Sequence, residues 1–414
     1  MKKITFLFYL IIFGFIGLSC IWDRDTIAME RQRFPNTLEV IAGNFLRHSP
    51  EFYQWRIQDR EAKLKTNPKQ WNYYDDLAVA YDKTGNHTKA IELMQQKDKL
   101  HPNQYETYAN LGTFYIHNKQ YQEGLKYIDK AIAINANAHF GREVYQKYLV
   151  EYILSKMQNG VIDLPLYQPS NGGTSLNFYH FLLKKPIKAN MKPPKAAVKG
   201  ILGMMKFGNF RSPVLLEALG DLLRMYPKSV KHNASILAYM AYQKAAMEIN
   251  TSTATQHFEK RDVFWELGSA KEASKTKAGY KKILADAIKS GDRFYNQIRS
   301  DEIRWIKAGK NPEEEFANKY YKTPPKPTSP KKAPGLEERQ PKDTITKTTE
   351  KTSQKGISKT SQPTLPKNTK RETKKQATER KARKESFPII PIALVCLGGL
   401  IIGALIFQQR RRKS

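Results

Sequence analysis

Cysteine is almost missing from this chain of 414 residues: only Cys20 and Cys396 occur. Cys20 closes an N-terminal apolar run and Cys396 lies inside a C-terminal one, so the stretch between them has none. That excludes a disulfide framework for the body, a zinc site built on thiolates, and catalysis by a cysteine nucleophile there. Enzyme signatures are missing as well. The eight histidines (His48, His87, His101, His117, His139, His180, His232 and His257) are scattered, and none forms His-Glu-x-x-His. Gly200, Gly203 and Gly208 lack phosphate-loop spacing, and no Gly-x-Ser-x-Gly elbow occurs. The paired acids, Asp75-Asp76 and Glu313 to Glu315, read as a solvated face and a helix start. No catalytic residue, metal ligand or cofactor is assigned. An enzyme survives only as a site assembled from distant residues of the second helical region.

Acidic residues are also scarce: 39 Asp and Glu stand against 70 Lys and Arg, a formal charge of +31. Such a balance suits nucleic acid, an anionic membrane face or an acidic polymer. The chain ends decide among these. Met1-Lys2-Lys3 followed by an apolar run to Leu18 has the form of an export signal over residues 1–19. Ser19-Cys20 resembles the cleavage box of bacterial lipoproteins, which implies lipidation at Cys20; Gly17 stands where that box has Leu. Ordinary cleavage and an uncleaved anchor remain the alternatives, and all three place the body outside the cytoplasm. Nucleic acid is set aside, since no base-stacking or groove-reading motif accompanies the charge.

At the other end, residues 388–407 are continuously apolar and long enough to cross a bilayer, and Arg410-Arg411-Arg412-Lys413 supplies a basic cytoplasmic end over 408–414. Gly399 and Gly403 have the small-xxx-small spacing that lets two membrane helices pack, so a homodimer is open. Residues 322–387 are rich in Lys, Thr and Pro and have almost no large apolar side chains. Such a segment cannot offset its ordering entropy and reads as a disordered basic linker. Fully extended it would reach roughly 200 Å.

Between these ends, residues 71–138 carry one pattern twice at an offset of 34 residues. Tyr74 falls on Tyr108, Leu77 on Leu111, Tyr81 on Tyr115, Ala78 on Gly112, Ala90 on Gly124 and Met94 on Ile128. Pro102 closes the first copy and Ala136 the second. The small residues let two antiparallel helices approach while the large ones fill the seam to the next hairpin. The pattern resembles the tetratricopeptide repeat family, whose unit is a helical hairpin of this length. The resemblance covers about a sixth of the chain. It implies two units in 71–138, with a lead and capping helix in 20–70 and a further helical region in 139–321.

Within 20–70, residues 50–65 form the expected helix, with Phe52, Trp55, Ala62 and Leu64 as its apolar positions; residues 23–50 have no assignable pattern. Prolines and glycines between 158 and 195 predict a loop with one short helix near 176–183. Ser212-Pro213 and Asn311-Pro312-Glu313-Glu314 are helix starts, and Leu215, Leu216, Leu219, Leu222 and Leu223 make one apolar face.

The fold expected is therefore all-α: a short hairpin array continuing into further helices, then the linker and one transmembrane helix. In the family resembled, ligands contact the concave side formed by the first helix of each hairpin. By offset that side carries Asn72, Asp75, Val79, Asp82, Glu106, Ala109, Thr113 and Ile116. Members that capture a C-terminal carboxylate do so with Lys and Asn. Asp75 and Val79 stand in those places here, so a neutral or basic protein segment is the better expectation. The function expected is a membrane-anchored scaffold that displays this groove to a protein partner outside the cytoplasm. The alternative is binding of an anionic envelope polymer or lipid surface through the basic linker.

Overall fold

A computed structural model describes residues 21–166, 177–226, 231–249, 255–256, 258 and 270–321, all within the unit Met1–Gln340. The expected signal over 1–19, Cys20, the linker over 322–387, the apolar span over 388–407 with Gly399 and Gly403, and the basic end over 408–414 lie outside the described residues. Among the described residues the protein is mostly helical and has no strand, only an isolated antiparallel bridge between Gln158 and Val161. None of the described helices is long and apolar enough to cross a membrane.

Residues 23–50, which have no assignable sequence pattern, hold two short helices and the start of a third. Asp23 caps α1 (Arg24–Glu30) by accepting from the Thr26 backbone, and Asn36 with Glu39 forms a capping box on α2 (Thr37–Ala42). Gly43, at φ 72, ends α2 in the left-handed region that favours glycine. Ser49 and Pro50 then start α3 (Pro50–Thr66).

Four helices follow: α4 (Trp71–Lys83), α5 (His87–Leu100), α6 (Tyr105–His117) and α7 (Tyr121–Asn135). They pair as α4 with α5 and α6 with α7, and α3 packs against α4. Residues 71–138 thus fold as two helical hairpins. The repeated small residues sit at the crossings. Ala78 and Ala90 are wholly buried, and a Cβ placed on Gly124 would lie 2.9 Å from the Gly112 carbonyl oxygen. That approach fixes how closely α6 and α7 can pack.

The chain continues through α8 (Arg142–Lys156), the short α9 (Phe178–Leu183), α10 (Lys195–Met204), α11 (Pro213–Leu223) and α12 (Lys231–Glu248). α7 packs on α8, α8 on α10, α10 on α11, and α11 on α12. Ser212 accepts from the Leu215 backbone as the N-cap of α11. The predicted leucine face of α11 is entirely buried in the larger core, with Tyr239, Met240 and Ala245 of α12.

The last elements return to the beginning. α13 (Ala270–Lys307) has 38 residues, about 57 Å at the α-helical rise, and packs on α2, α3 and α12. At Gly291 its backbone runs against the end of α2: an added Cβ would meet the Ala42 carbonyl oxygen at 2.5 Å. α14 (Pro312–Phe316), capped by Asn311, folds back on α13 through a third core holding Ile298, Trp305, Phe316 and Tyr320 together with Met29 and Leu46.

Candidate functional site

The side of the two hairpins formed by α4 and α6 holds the segment that leads into α1. Ile21 is buried in the hairpin core. Trp22 is gripped by its backbone: its N–H donates to Asn110 Oδ1 at 2.8 Å, and Asn110 Nδ2 donates to its carbonyl at 2.9 Å. Its ring meets His139 and Tyr105 edge-on, at centroid distances of 4.1 and 5.9 Å. Two residues on, the Arg24 N–H donates to Asp76 Oδ1 at 3.2 Å. The Asn110 amide, from the middle of α6, therefore reads a peptide main chain as both donor and acceptor.

Beneath this segment lies a buried ionic network. Arg56 and Arg60, one turn apart on α3, have no exposed surface. Arg56 donates to Asp23 at 3.1 Å and to Glu313 Oε1 at 2.9 Å, and also contacts Asp25. Arg60 donates to Asp76 at 3.0 Å and contacts Asp59 and Glu313. Arg24 reaches Glu313 from the outside. His48 joins the same group, with Nδ1 2.6 Å from Glu302 Oε1 and Nε2 3.2 Å from Asp25 Oδ2, and its ring stacks on Phe52 at 3.6 Å.

Electrostatics follow from burial set against partners. Burial alone would lower the His48 pKa, yet Asp25 and Glu302 outweigh it and push the imidazole up to about 9. Burial would raise Asp25, but Arg56 and His48 hold its carboxyl well below the usual range. Asp23 goes the other way, raised by burial and by the neighbouring Asp25 charge. Carboxylates outnumber the cations here, and the carboxylate with the weakest compensation carries the excess.

Two readings of the sequence are corrected by these contacts. The Asp75-Asp76 pair was expected on a solvated face and is instead buried against cations: Asp76 meets Arg60, and Asp75 takes Lys97 Nζ at 2.6 and 2.8 Å. On α3 the inward positions are Phe52, Arg56, Ile57 and Arg60, while Ala62 is exposed. Of the apolar positions assigned from hydropathy, Phe52 is buried and Leu64 packs against the hairpin core, but the inward face also takes two arginines that hydropathy would put outside.

The eight residues placed by offset on the concave side divide accordingly. Asn72 is exposed and Glu106 partly so, whereas Asp75, Val79, Asp82, Ala109, Thr113 and Ile116 are buried. Thr113 accepts from Gln146 of α8 at 3.1 Å, and Ile116 joins the larger core. Val79 lines a cavity of about 220 Å³ with Lys83, Lys206, Met29, Phe45 and Phe207. Lys83 donates to the Phe207 and Gly208 carbonyls at 2.7 and 3.1 Å, and Lys206 to the Met29 carbonyl at 3.1 Å. Burial pulls Lys206 down to about 8. The side expected to stand open to a partner is thus covered from within, by residues 21–30 and by α8, and only its rim at Asn72 and Glu106 reaches solvent.

Asp82 makes a different arrangement, which the sequence reading missed. His87 Nδ1 lies 2.7 Å from Asp82 Oδ1, and His117 Nδ1 lies 2.8 Å from the same oxygen and 3.0 Å from Oδ2. Burial would raise the Asp82 pKa, but the two imidazoles hold it well below the usual range. His87 and His117 are 30 positions apart, and only the stacking of the two hairpins brings them together.

No protein-family model matches the chain, and no curated protein matches it.

Proposed function

We propose that this protein is a membrane-anchored interaction scaffold, a hairpin array of the tetratricopeptide type that holds a protein partner outside the cytoplasm. One observation carries the reading. The concave side grips a peptide main chain through the Asn110 amide and Asp76, the kind of sequence-tolerant contact by which a groove holds an extended partner segment. In this conformation residues 21–30 fill that place in cis. A partner segment competes with them for it, and the affinity seen from outside is reduced by the fraction of time the groove is filled.

The start of α14 supports the anchoring half of the reading. Glu313 accepts from Arg24 of α1 and from Arg56 of α3, so the first and last described stretches, from which the two expected membrane attachments would leave, meet in one network. A body held at one pole presents the rest of its surface away from the bilayer.

The test places a photo-crosslinking residue at the rim, at Asn72 and separately at Glu106, in intact cells, with and without Trp22→Ala to loosen the cis segment. The expected result is a discrete adduct, several-fold stronger with Trp22→Ala and suppressed in membranes by an excess of synthetic peptide 21–30. No adduct at either position in either chain, with the protein stably present, sinks the proposal and moves attention to the basic linker.

A further inference from the structure

We propose that Asp82, His87 and His117 form a binding site for a divalent transition-metal ion, Zn²⁺ by the chemistry of the donors. The three residues come from three elements. Asp82 lies in the last turn of α4, His87 is the first residue of α5, and His117 is the last of α6. Their donor atoms all lie within 4.8 Å of one another.

Three properties favour a metal over a purely structural hydrogen-bonded cluster. Both imidazoles turn the same nitrogen, Nδ1, toward a single carboxylate, so two ring nitrogens and a carboxylate oxygen face one point. The rings stand 5.5 Å apart at 64°, edge to face and not stacked on each other. The side chains are also shielded from solvent, with exposures of 2% for Asp82, 12% for His87 and 8% for His117. Zinc takes two His and one carboxylate at about 2.0 to 2.2 Å. Donors now at hydrogen-bond separation would open by about half an ångström around such an ion, a movement that small rotations of χ1 and χ2 supply. Binding displaces the protons on the two Nδ1 atoms. With no thiolate in the body, imidazole and carboxylate favour Zn²⁺ among the metals commonly available, although Cu²⁺ would compete for the same donors.

Bound there, the ion would tie α4 and α5 of one hairpin to α6 of the next. Lys83 follows Asp82 directly and holds the turn at Phe207 and Gly208, so the same pole also carries the contact between the hairpins and the helices after α10.

The experiment uses the full chain without an affinity tag, solubilised in detergent, after chelation and desalting. Zn²⁺ is titrated calorimetrically, and Co²⁺ is added as a spectroscopic substitute. One ion per chain is expected, with a visible Co²⁺ absorption typical of a four- or five-coordinate nitrogen and oxygen site. His87→Gln, His117→Gln and Asp82→Asn should each weaken binding at least 100-fold. Nitrogen-15 shifts of the histidine rings cover the case in which a variant fails to fold, since they are read on the wild-type chain. Movement of the Nδ1 resonances of His87 and His117 on Zn²⁺ addition supports the site. Unmoved Nδ1 resonances, absence of stoichiometric binding, or binding indifferent to all three substitutions overturns it.

Discussion

Arg56 and Glu313 stand 257 positions apart in sequence and share a hydrogen bond of 2.9 Å in the interior. Through Arg56, α1 with its N-cap, α3 and α14 meet at one guanidinium, and Arg60 repeats the link to Glu313 one turn away. Such a network adds little net stability over a well-packed apolar replacement, because each ion has been taken out of water. Breaking it is another matter. Arg56→Ala strands several carboxylates and is expected to cost about 3 to 5 kcal/mol, read by urea denaturation. Glu313→Gln keeps a hydrogen-bond acceptor beside both arginines and should cost less, about 1 to 3 kcal/mol. Equal losses in the two variants would mean that α14 docks through its apolar residues rather than through this charge.

The network also sets a pH dependence. Folding raises the proton affinity of His48 from an ordinary value near 6.5 to about 9, through Asp25 of α1 and Glu302 of α13. The stabilising contribution is therefore complete below pH 6.5 and is lost as pH climbs through about 9. The shift corresponds to about 3 kcal/mol. Lys206 works in the opposite direction: its depressed pKa near 8 makes the fold gain stability above that value, as the unfolded chain still holds the proton. The raw pH profile mixes the two. The wild-type unfolding free energy minus that of His48→Gln isolates the histidine, and it should fall by about 3 kcal/mol between pH 6 and pH 10. A flat difference would place His48 neutral in the folded state.

These two predictions concern parts of the molecule that were hidden in the sequence. The hairpins were legible because Tyr74, Leu77 and Ala78 return as Tyr108, Leu111 and Gly112, and a repeated unit declares both its helices and its crossing. The α11 start was legible in Ser212-Pro213 for the same local reason, a cap that acts within three residues. Residues 23–50 were opaque, since two helices of seven and six residues are too short to show a period. Arg56 and Arg60 were opaque for a different reason. Hydropathy places arginine outside, and only the arrival of Asp23, Asp25 and Glu313 from distant segments makes burial tolerable. The eight groove positions were assigned by offset, and nothing local announced that residues 21–30 and α8 would cover most of them. His87 and His117 share no motif; stacking alone unites them.

Two glycines separate crossing geometry from helix propensity. Gly112 and Gly279 both lie inside helices, where alanine is favoured over glycine by about 1 kcal/mol. At Gly279 a Cβ would meet nothing within 4 Å, so Gly279→Ala should stabilise by up to about 1 kcal/mol. At Gly112 the same atom would lie 2.6 Å from Ile128 Cγ1 and 3.0 Å from the Ile128 backbone nitrogen. The side chain can turn away, but the backbone of α7 cannot without opening the hairpin. Gly112→Ala should therefore destabilise by about 1 to 3 kcal/mol. Melting curves of the two variants moving in the same direction would refute the role assigned to the crossing.

The grip of Asn110 on Trp22 gives the most direct test of how the N-terminal segment is held. Asn110→Ala leaves the Trp22 N–H and carbonyl without their partners in a part-buried place, at a cost of about 1 to 2 kcal/mol. Arg56 still holds Asp23 and Asp25, so the loss should be local rather than global. The discriminating measurement is amide hydrogen exchange, which reports local opening separately from unfolding of the core. Exchange across residues 21–26 is expected to quicken roughly 10-fold, in line with that local cost, while the amides of α11 and α12 keep their wild-type rates. Asn110→Asp should open the segment further than alanine does. A carboxylate cannot donate to the Trp22 carbonyl, and it would stand near Asp75, whose Oδ1 already lies 3.4 Å from the Asn110 amide nitrogen. Uniform acceleration throughout the body in both variants would show instead that the segment is a structural wedge that cannot leave without unfolding its host, and the exchange of a cis segment for a partner would then be untenable.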